Sequence, residues 1–355
     1  LYKLYLEVMK TIDDYFQLNF REVDMDQINA EIADFVGRCK ALPRGMKNWP
    51  AFIDLKKKID DFYECCPLIE LMASNAMKER HWKMLESRLK FKFDMYDENF
   101  TLGYVMKAPL YDYREDIEEV CVGAAKEQDI DTKLQGVMRD WKDVDVPLGP
   151  FKSRGDILIK AGDVLDIIAK LEDSLMIMSS LASNRFNGPF KKDIMLWLKK
   201  LSDTSEILER WLQVQALWMY LEAVFVGGDI SRQLPQEAKR FANIDKSWVK
   251  VMYKTRDNPN VIEVCTGDEV VSSSLLFLVE QLELCQKSLT VYLESKRLIF
   301  PRFFFISDPV LLEILGQASD PNSIQPHLLS IFDGVASVDF DDKKGDTVMA
   351  MSSSN

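Results

Sequence analysis

With 355 residues, 47% of them hydrophobic, the chain can bury a sizeable core, and roughly 150 residues per domain suggests about two units. Its formal net charge of −12 argues against a protein that tracks nucleic-acid phosphates, whose footprint is a basic stripe; the acidity reads as a soluble, self-repelling surface. Six cysteines (Cys39, Cys65, Cys66, Cys121, Cys265 and Cys285) are too sparse for a disulfide scaffold and fit a reducing compartment, as small buried side chains.

The chain opens on Leu1 and closes on Met351-Ser-Ser-Ser-Asn355, which reads as a piece of a longer protein. Charges at Lys3, Glu7, Lys10, Asp13 and Asp14 interrupt the start, so it is no secretory signal. Leu42-Pro-Arg-Gly45 and Trp49-Pro50 end one helical segment and start the next. Ile130, Leu134, Val137 and Trp141 recur at gaps of four and three, the mark of a buried helical stripe. Val146-Pro-Leu-Gly-Pro150 is the strongest turn cluster and a subdomain boundary. Leu171, Leu175, Met178 and Leu181 form another stripe, and Asn184-Arg-Phe-Asn-Gly-Pro189 breaks it from the next.

Ser202-Asp-Thr-Ser-Glu206 offers N-cap residues ahead of the chain's most informative stretch. There Ile207, Trp211, Val214, Trp218, Leu221 and Phe225 predict one seam on a helix of about five turns. Gly227-Gly228 follows, then Leu234-Pro235 opens a second helix. A stiff element, a sharp corner and a second stiff element result. Gly227, Gly228 and Pro235 are the candidate hinge, because φ and ψ could change there without unpacking a core. The competing reading makes the two glycines a C-cap and tight turn only.

Asn258-Pro-Asn260 and Thr266-Gly-Asp268 bound an irregular piece with room for a short strand at Val261–Val264. Leu275, Leu278, Leu282, Cys285, Leu289 and Tyr292 repeat the helical alternation. Leu298–Ile306 is apolar but broken by Pro301 and Arg302, and no stretch approaches the ~18 apolar residues of a membrane span. Past Val335 the period changes to two, with Val338 and Phe340, a turn at Lys343-Lys-Gly-Asp346, then Thr347, Met349 and Met351. That predicts a small β-hairpin. No repeat of 20–50 residues occurs, which disfavours a solenoid. The fold class is therefore all-α, an array of helical bundles with a hairpin near the C-terminus. The expected division is 1–145, an N-terminal helical subdomain; 151–334, central helical bundles; and 335–355, the start of the hairpin.

Candidate chemistry is thin. A phosphate loop needs Gly-Lys-Ser/Thr, and none of the 15 glycines precedes a lysine. His81 and His327 stand far apart and are expected as packing and turn residues, and adjacent Cys65-Cys66 lacks the CxxC spacing of zinc sites. Acidic pairs such as Asp13-Asp14 are common among 57 carboxylates and carry no evidence of acid–base work. The expectation is a chain with no catalytic, cofactor or metal residues of its own.

Several uncommon words stand in one order: Leu171-Glu-Asp-Ser-Leu-Met176, Ser183-Asn-Arg-Phe186, Tyr220-Leu-Glu222, Phe225-Val-Gly-Gly-Asp-Ile230, Gln233-Leu-Pro-Gln-Glu-Ala-Lys-Arg-Phe241, Ile244-Asp-Lys-Ser-Trp248, Phe300-Pro-Arg-Phe-Phe-Phe305 and Gln325-Pro-His327. In these the chain resembles the linker region of dynein heavy chains. The wording at Asn243-Ile-Asp-Lys-Ser-Trp-Val249 and Leu312-Glu-Ile-Leu-Gly-Gln317 is similar to the axonemal type, with a ciliary outer-arm chain as the expectation. Residues 1–170 match more loosely.

The resemblance implies an elongated arch of helical bundles, the linker, which bends and straightens as an AAA ring turns over ATP. It implies the AAA ring of the same heavy chain as partner, with the tail and other dynein subunits reached indirectly. It also implies that ATP and Mg belong to that ring, that microtubules are met only through the parent motor ATPase, and a place in the cytoplasm, cytoskeleton and ciliary or flagellar axoneme. Neither nucleic acid nor membrane is expected as a partner. A static helical scaffold or tether is the alternative function.

Overall fold

The computed structural model describes residues 1–95, 97, 100–226, 228–267, 269–341 and 347–353. Helix dominates, and the chain divides into two compact units: Leu1–Gln135 with Ser183–Lys191, and Gly136–Ala182 with Lys192–Asn355.

The first unit holds α1 (Tyr2–Phe16), α2 (Met25–Ala41), α3 (Pro50–Met72), α4 (Glu79–Leu89), α5 (Leu102–Val105) and most of α6 (Arg114–Asp140). Asp24 starts α2 by accepting the N–H groups of Asp26 and Gln27. Pro50 starts α3, where its fixed φ suits the first turn and its missing N–H costs nothing. Val8, Ile32, Leu55, Ile69, Leu85 and Ile117 lie in the core. Trp82 completes that core, with the rings of Phe20, Phe93 and Phe100 centred 5.7, 5.3 and 5.4 Å away.

In the second unit, β1 (Leu148–Pro150) and β2 (Asp156–Ile159) form an antiparallel hairpin that pairs Leu148 with Ile159. Its tight turn places Lys152 and Gly155 at φ values of 50° and 82°. Then come α7 (Ala161–Ala182), α8 (Lys191–Phe225), α9 (Ile230–Gln233), α10 (Pro235–Asp257), α11 (Val261–Thr266), α12 (Glu269–Ile299), α13 (Asp308–Gly316) and α14 (Leu328–Ile331). The unit ends in β3 (Val335–Phe340) and β4 (Val348–Ser353), paired antiparallel with Val338 opposite Met351. This is the hairpin expected from the period-two pattern; its turn residues Lys343–Asp346 lie outside the described residues.

Three local expectations are corrected. Val261–Val264 is helical, because the Asn260 side chain accepts the Glu263 N–H at 3.1 Å and caps α11. Four consecutive apolar-rich residues fit a buried turn of helix as well as a strand, and the cap decides. Strand is also not confined to the end: β1 lies within Val146–Pro150, expected only as a turn cluster, and β2 follows at Asp156–Ile159. Finally, Ser202–Glu206 caps nothing. The 35-residue α8 runs straight through it, and Thr204 is wholly buried in the helix's packed face. Tertiary burial overrides the local capping preference of these residues.

Candidate functional site

Trp211, Val214, Trp218 and Leu221 of α8 are fully buried, and Phe225 at its end is 6% exposed. Besides Thr204, two polar residues share that buried phase, Gln215 four after Trp211 and Glu222 four after Trp218, and each of these two meets a partner. Gln215 Oε1 accepts the Ile159 N–H at 2.7 Å, and its amide donates to the Ile159 carbonyl at 2.8 Å. The side chain thus replaces a neighbouring strand for β2. Lys152 Nζ, from the hairpin turn, donates to Glu222 Oε2 at 2.5 Å.

The indoles add specificity to the seam. Trp218 and Trp248 stack at 5.6 Å with planes 24° apart, and Phe151 meets Trp218 edge-on at 4.9 Å. Trp218 Nε1 donates to Asp245 Oδ1 at 3.1 Å, and the Arg154 guanidinium donates to the other oxygen at 2.8 Å. Trp248 Nε1 donates to the Ile157 carbonyl at 3.0 Å. Asp245 raises the Arg154 pKa further by hydrogen bonding, so that charge is permanent. The β1–β2 hairpin is therefore stapled onto α8 and α10 by buried hydrogen bonds, stacked rings and two ion pairs. Satisfied buried networks of this kind fix one arrangement of the elements they join.

Lys152, Arg154, Gln215, Glu222 and Asp245 had no role in the sequence reading. A signal existed for two of them. Gln215 and Glu222 fall on the apolar phase of the helix, and a polar group there requires a partner. Nothing in the sequence says that the partners come from a hairpin dozens of residues upstream.

The corner after α8 is equally specific. Gly227 lies outside the described residues. Gly228 does not occupy the left-handed region; among the described residues, the glycines at positive φ are Gly155 and Gly334. Its small size matters for another reason. A Cβ there would sit 3.3 Å from the Val224 carbonyl oxygen and 3.5 Å from that of Gly316 at the end of α13. The next residue bonds the same place: the Asp229 N–H donates to the Gly316 carbonyl at 3.0 Å. Asp229 Oδ2 accepts the Ser319 N–H at 2.8 Å and also the Ser319 hydroxyl. These bonds lower the Asp229 pKa. Ser231 Oγ donates back to the Gly228 carbonyl at 2.8 Å. Pro235 stands at the first position of α10. Beside this corner lies a cavity of about 430 Å³ between Tyr220, Val224 and Ile230 on one side and Pro309, Leu312 and Glu313 on the other.

Burial pushes the Cys121 and Cys265 thiols up to about 12, so neither is a thiolate near neutral pH. His81 is buried, receives the Lys78 N–H on Nδ1 at 3.0 Å and lies 3.0 Å from Glu127 through Nε2. His327 Nε2 is 3.5 Å from Glu313. Among the described residues no three His, Cys, Asp or Glu side chains converge to hold a metal.

Comparison with known proteins gives this geometry a context. Residues 1–355 match the family described as "Dynein heavy chain, N-terminal region 2". The chain is 54% identical over 351 residues to "Dynein axonemal heavy chain 8" of Homo sapiens, covering 99% of this chain and 8% of that protein. It is 52% identical over 353 residues to "Dynein axonemal heavy chain 5" of Mus musculus, covering 99% of this chain and 8% of that one. Over 345 residues it is 42% identical to "Dynein gamma chain, flagellar outer arm" of Chlamydomonas reinhardtii, covering 96% of this chain and 8% of the relative. The chain thus spans less than a tenth of the length of these relatives.

Proposed function

We propose, from the premise that this chain belongs to the dynein heavy chain family, that it is the linker of an axonemal-type heavy chain. In that role it is a lever that carries displacement from an ATP-driven AAA ring of the same chain toward the tail and the other dynein subunits. ATP and Mg would be handled by the ring, microtubules by the parent motor, and the site of action would be the axoneme of a cilium or flagellum. An outer-arm chain is the finer reading, supported by the likeness to a flagellar outer-arm relative.

One observation carries the mechanical reading. A stapled seam, with Trp218 at its centre, ends at a corner that exchangeable hydrogen bonds around Gly228 and Asp229 tie to the end of α13 and to Ser319. Stiffness and compliance are thereby separated along one helix. A lever with two states needs a rigid body and a place that can rearrange without unpacking it. The static-scaffold reading draws on the same corner, since its bonds also suit a fixed turn.

The two readings part in the intact motor. A valine at 228 places branched carbons where even one Cβ is close to the Val224 and Gly316 carbonyls. The lever reading expects Gly228→Val to slow or abolish microtubule gliding while ATP turnover persists. Asp229→Ala, which frees the corner from Ser319, is expected to alter gliding velocity with the fold intact. Loss of both activities together with folding would favour the scaffold. Unchanged gliding in both variants would remove the hinge from this corner.

A further inference from the structure

The first unit carries a slot of about 190 Å³ between the C-terminal half of α2 and the first turns of α3. Its wall is apolar, made by Val36, Cys39, Phe52 and Ile59. Its rim is basic: Lys40, Lys47 and Lys56, with Asp60 as the single acid. Small-molecule sites usually enclose about 300–1,000 Å³, so a space this size suits one side chain rather than a cofactor.

In a chain of net charge −12 the rim gathers three lysines against one carboxylate. On the same two helices Arg38 pairs with Glu7 and Asp34, and Lys58 pairs with Asp54. Lys40 and Lys56 make no ion pair among the described residues. Lys47 Nζ donates instead to the Lys40 carbonyl at 3.1 Å, which holds its ammonium on the rim and leaves two of its protons for another acceptor. Three cations around an apolar slot, on an otherwise acidic protein, are complementary to an anionic ligand with an apolar centre.

We propose that this slot docks an acidic segment of a partner polypeptide. One side chain the size of leucine or phenylalanine enters between Val36, Phe52 and Ile59, and flanking carboxylates meet Lys40, Lys47 and Lys56. Burial of the single side chain fixes register, and the rim charges draw the segment in and exclude basic competitors. This reading is independent of the lever and stands or falls without it.

The test titrates the 355-residue chain into a fluorescein-labelled nonapeptide, Glu-Glu-Asp-Glu-Leu-Glu-Asp-Glu-Glu, and reads anisotropy. Saturable binding that weakens as salt is raised is expected, because exposed ion pairs are screened. Replacing the central leucine of the peptide by serine is expected to weaken binding about tenfold or more, the fold-change for losing one buried apolar side chain. Lys40→Glu and Lys56→Glu, both at exposed positions that leave the core untouched, are each expected to weaken it about two- to tenfold. In Val36→Trp, which fills the slot, the leucine and serine peptides are expected to bind alike. Absence of saturable binding overturns the proposal. Equal affinity of the two peptides for the unaltered chain, or full affinity in both lysine variants, overturns it as well.

Discussion

His81 shows how one buried side chain can be read for its proton. Its Nδ1 accepts the Lys78 N–H, so the neutral ring carries its hydrogen on Nε2 and donates it to Glu127. A second proton would have to sit on Nδ1, facing a donor. Burial lowers the His81 pKa below its ordinary 6.5, against the raising influence of Glu127. The unfolded chain therefore takes up that proton at a higher pH than the fold does. Stability should hold above about pH 6.5 and fall as the pH drops below it. Denaturant melts of His81→Gln are expected to lose part of that decline; an unchanged pH slope would reject the assignment. Trp218 belongs at the same scale. It stacks on Trp248, meets Phe151 and bonds Asp245, all from a fully buried position. Trp218→Ala should cost about 3–5 kcal/mol, read as a lower melting midpoint. An unchanged midpoint would make the indole dispensable to the core.

At the scale of elements, the helices were legible because each writes its own burial into a gap pattern of four and three. The stripe Ile130, Leu134, Val137 and Trp141 is buried as that pattern implies, and so are Leu275, Leu278, Leu282, Cys285 and Leu289. The closing hairpin was legible from its period of two, although β4 is exposed along its whole length and buries nothing in alternation. What escaped the sequence depends on partners distant along the chain. The docking of the β1–β2 hairpin on α8 and α10 rests on bonds between Ile159 and Gln215 and between Ile157 and Trp248. Helix α11 escaped because its deciding residue has two duties. Asn260 Oδ1 caps α11, and its amide donates to the Lys142 carbonyl at 2.9 Å and the Trp141 carbonyl at 3.3 Å. A single cap is worth about 0.5–2 kcal/mol, and the freed carbonyls add to that. Asn260→Ala is expected to destabilise by about 1–3 kcal/mol, whereas Asn260→Asp should keep the cap and lose only the donated bonds. Equal effects of the two would show that the cap contributes nothing. The candidate corner was legible only as a Gly-Gly break; that Gly228 is small because two carbonyls crowd it needs α13 in place.

For the whole molecule, the division into units does not follow the order of the chain. Ser183–Lys191 belongs with residues 1–135, although 47 residues of the other unit, Gly136–Ala182, come between. The returning segment brings Phe186, whose ring lies 3.5 Å from where a Cβ on Gly123 would be and 5.3 Å from the Lys126 ammonium. It also brings Phe190, 5.7 Å below the Arg80 guanidinium. During translation the first unit must therefore wait. The 56 residues from Gly136 through Lys191 take about 3–11 s to synthesise at roughly 5–20 residues per second. For that interval the Gly123 face of α6 stays bare on the ribosome, a target for holding chaperones or for a wrong partner. Pulse proteolysis of stalled nascent chains checks this. Chains stalled with Ala182 exposed should be cut within the first unit faster than chains stalled with Lys191 exposed, and equal rates would mean that the unit closes without its returning segment. Birth order, and not only shape, is thus built into where this chain doubles back.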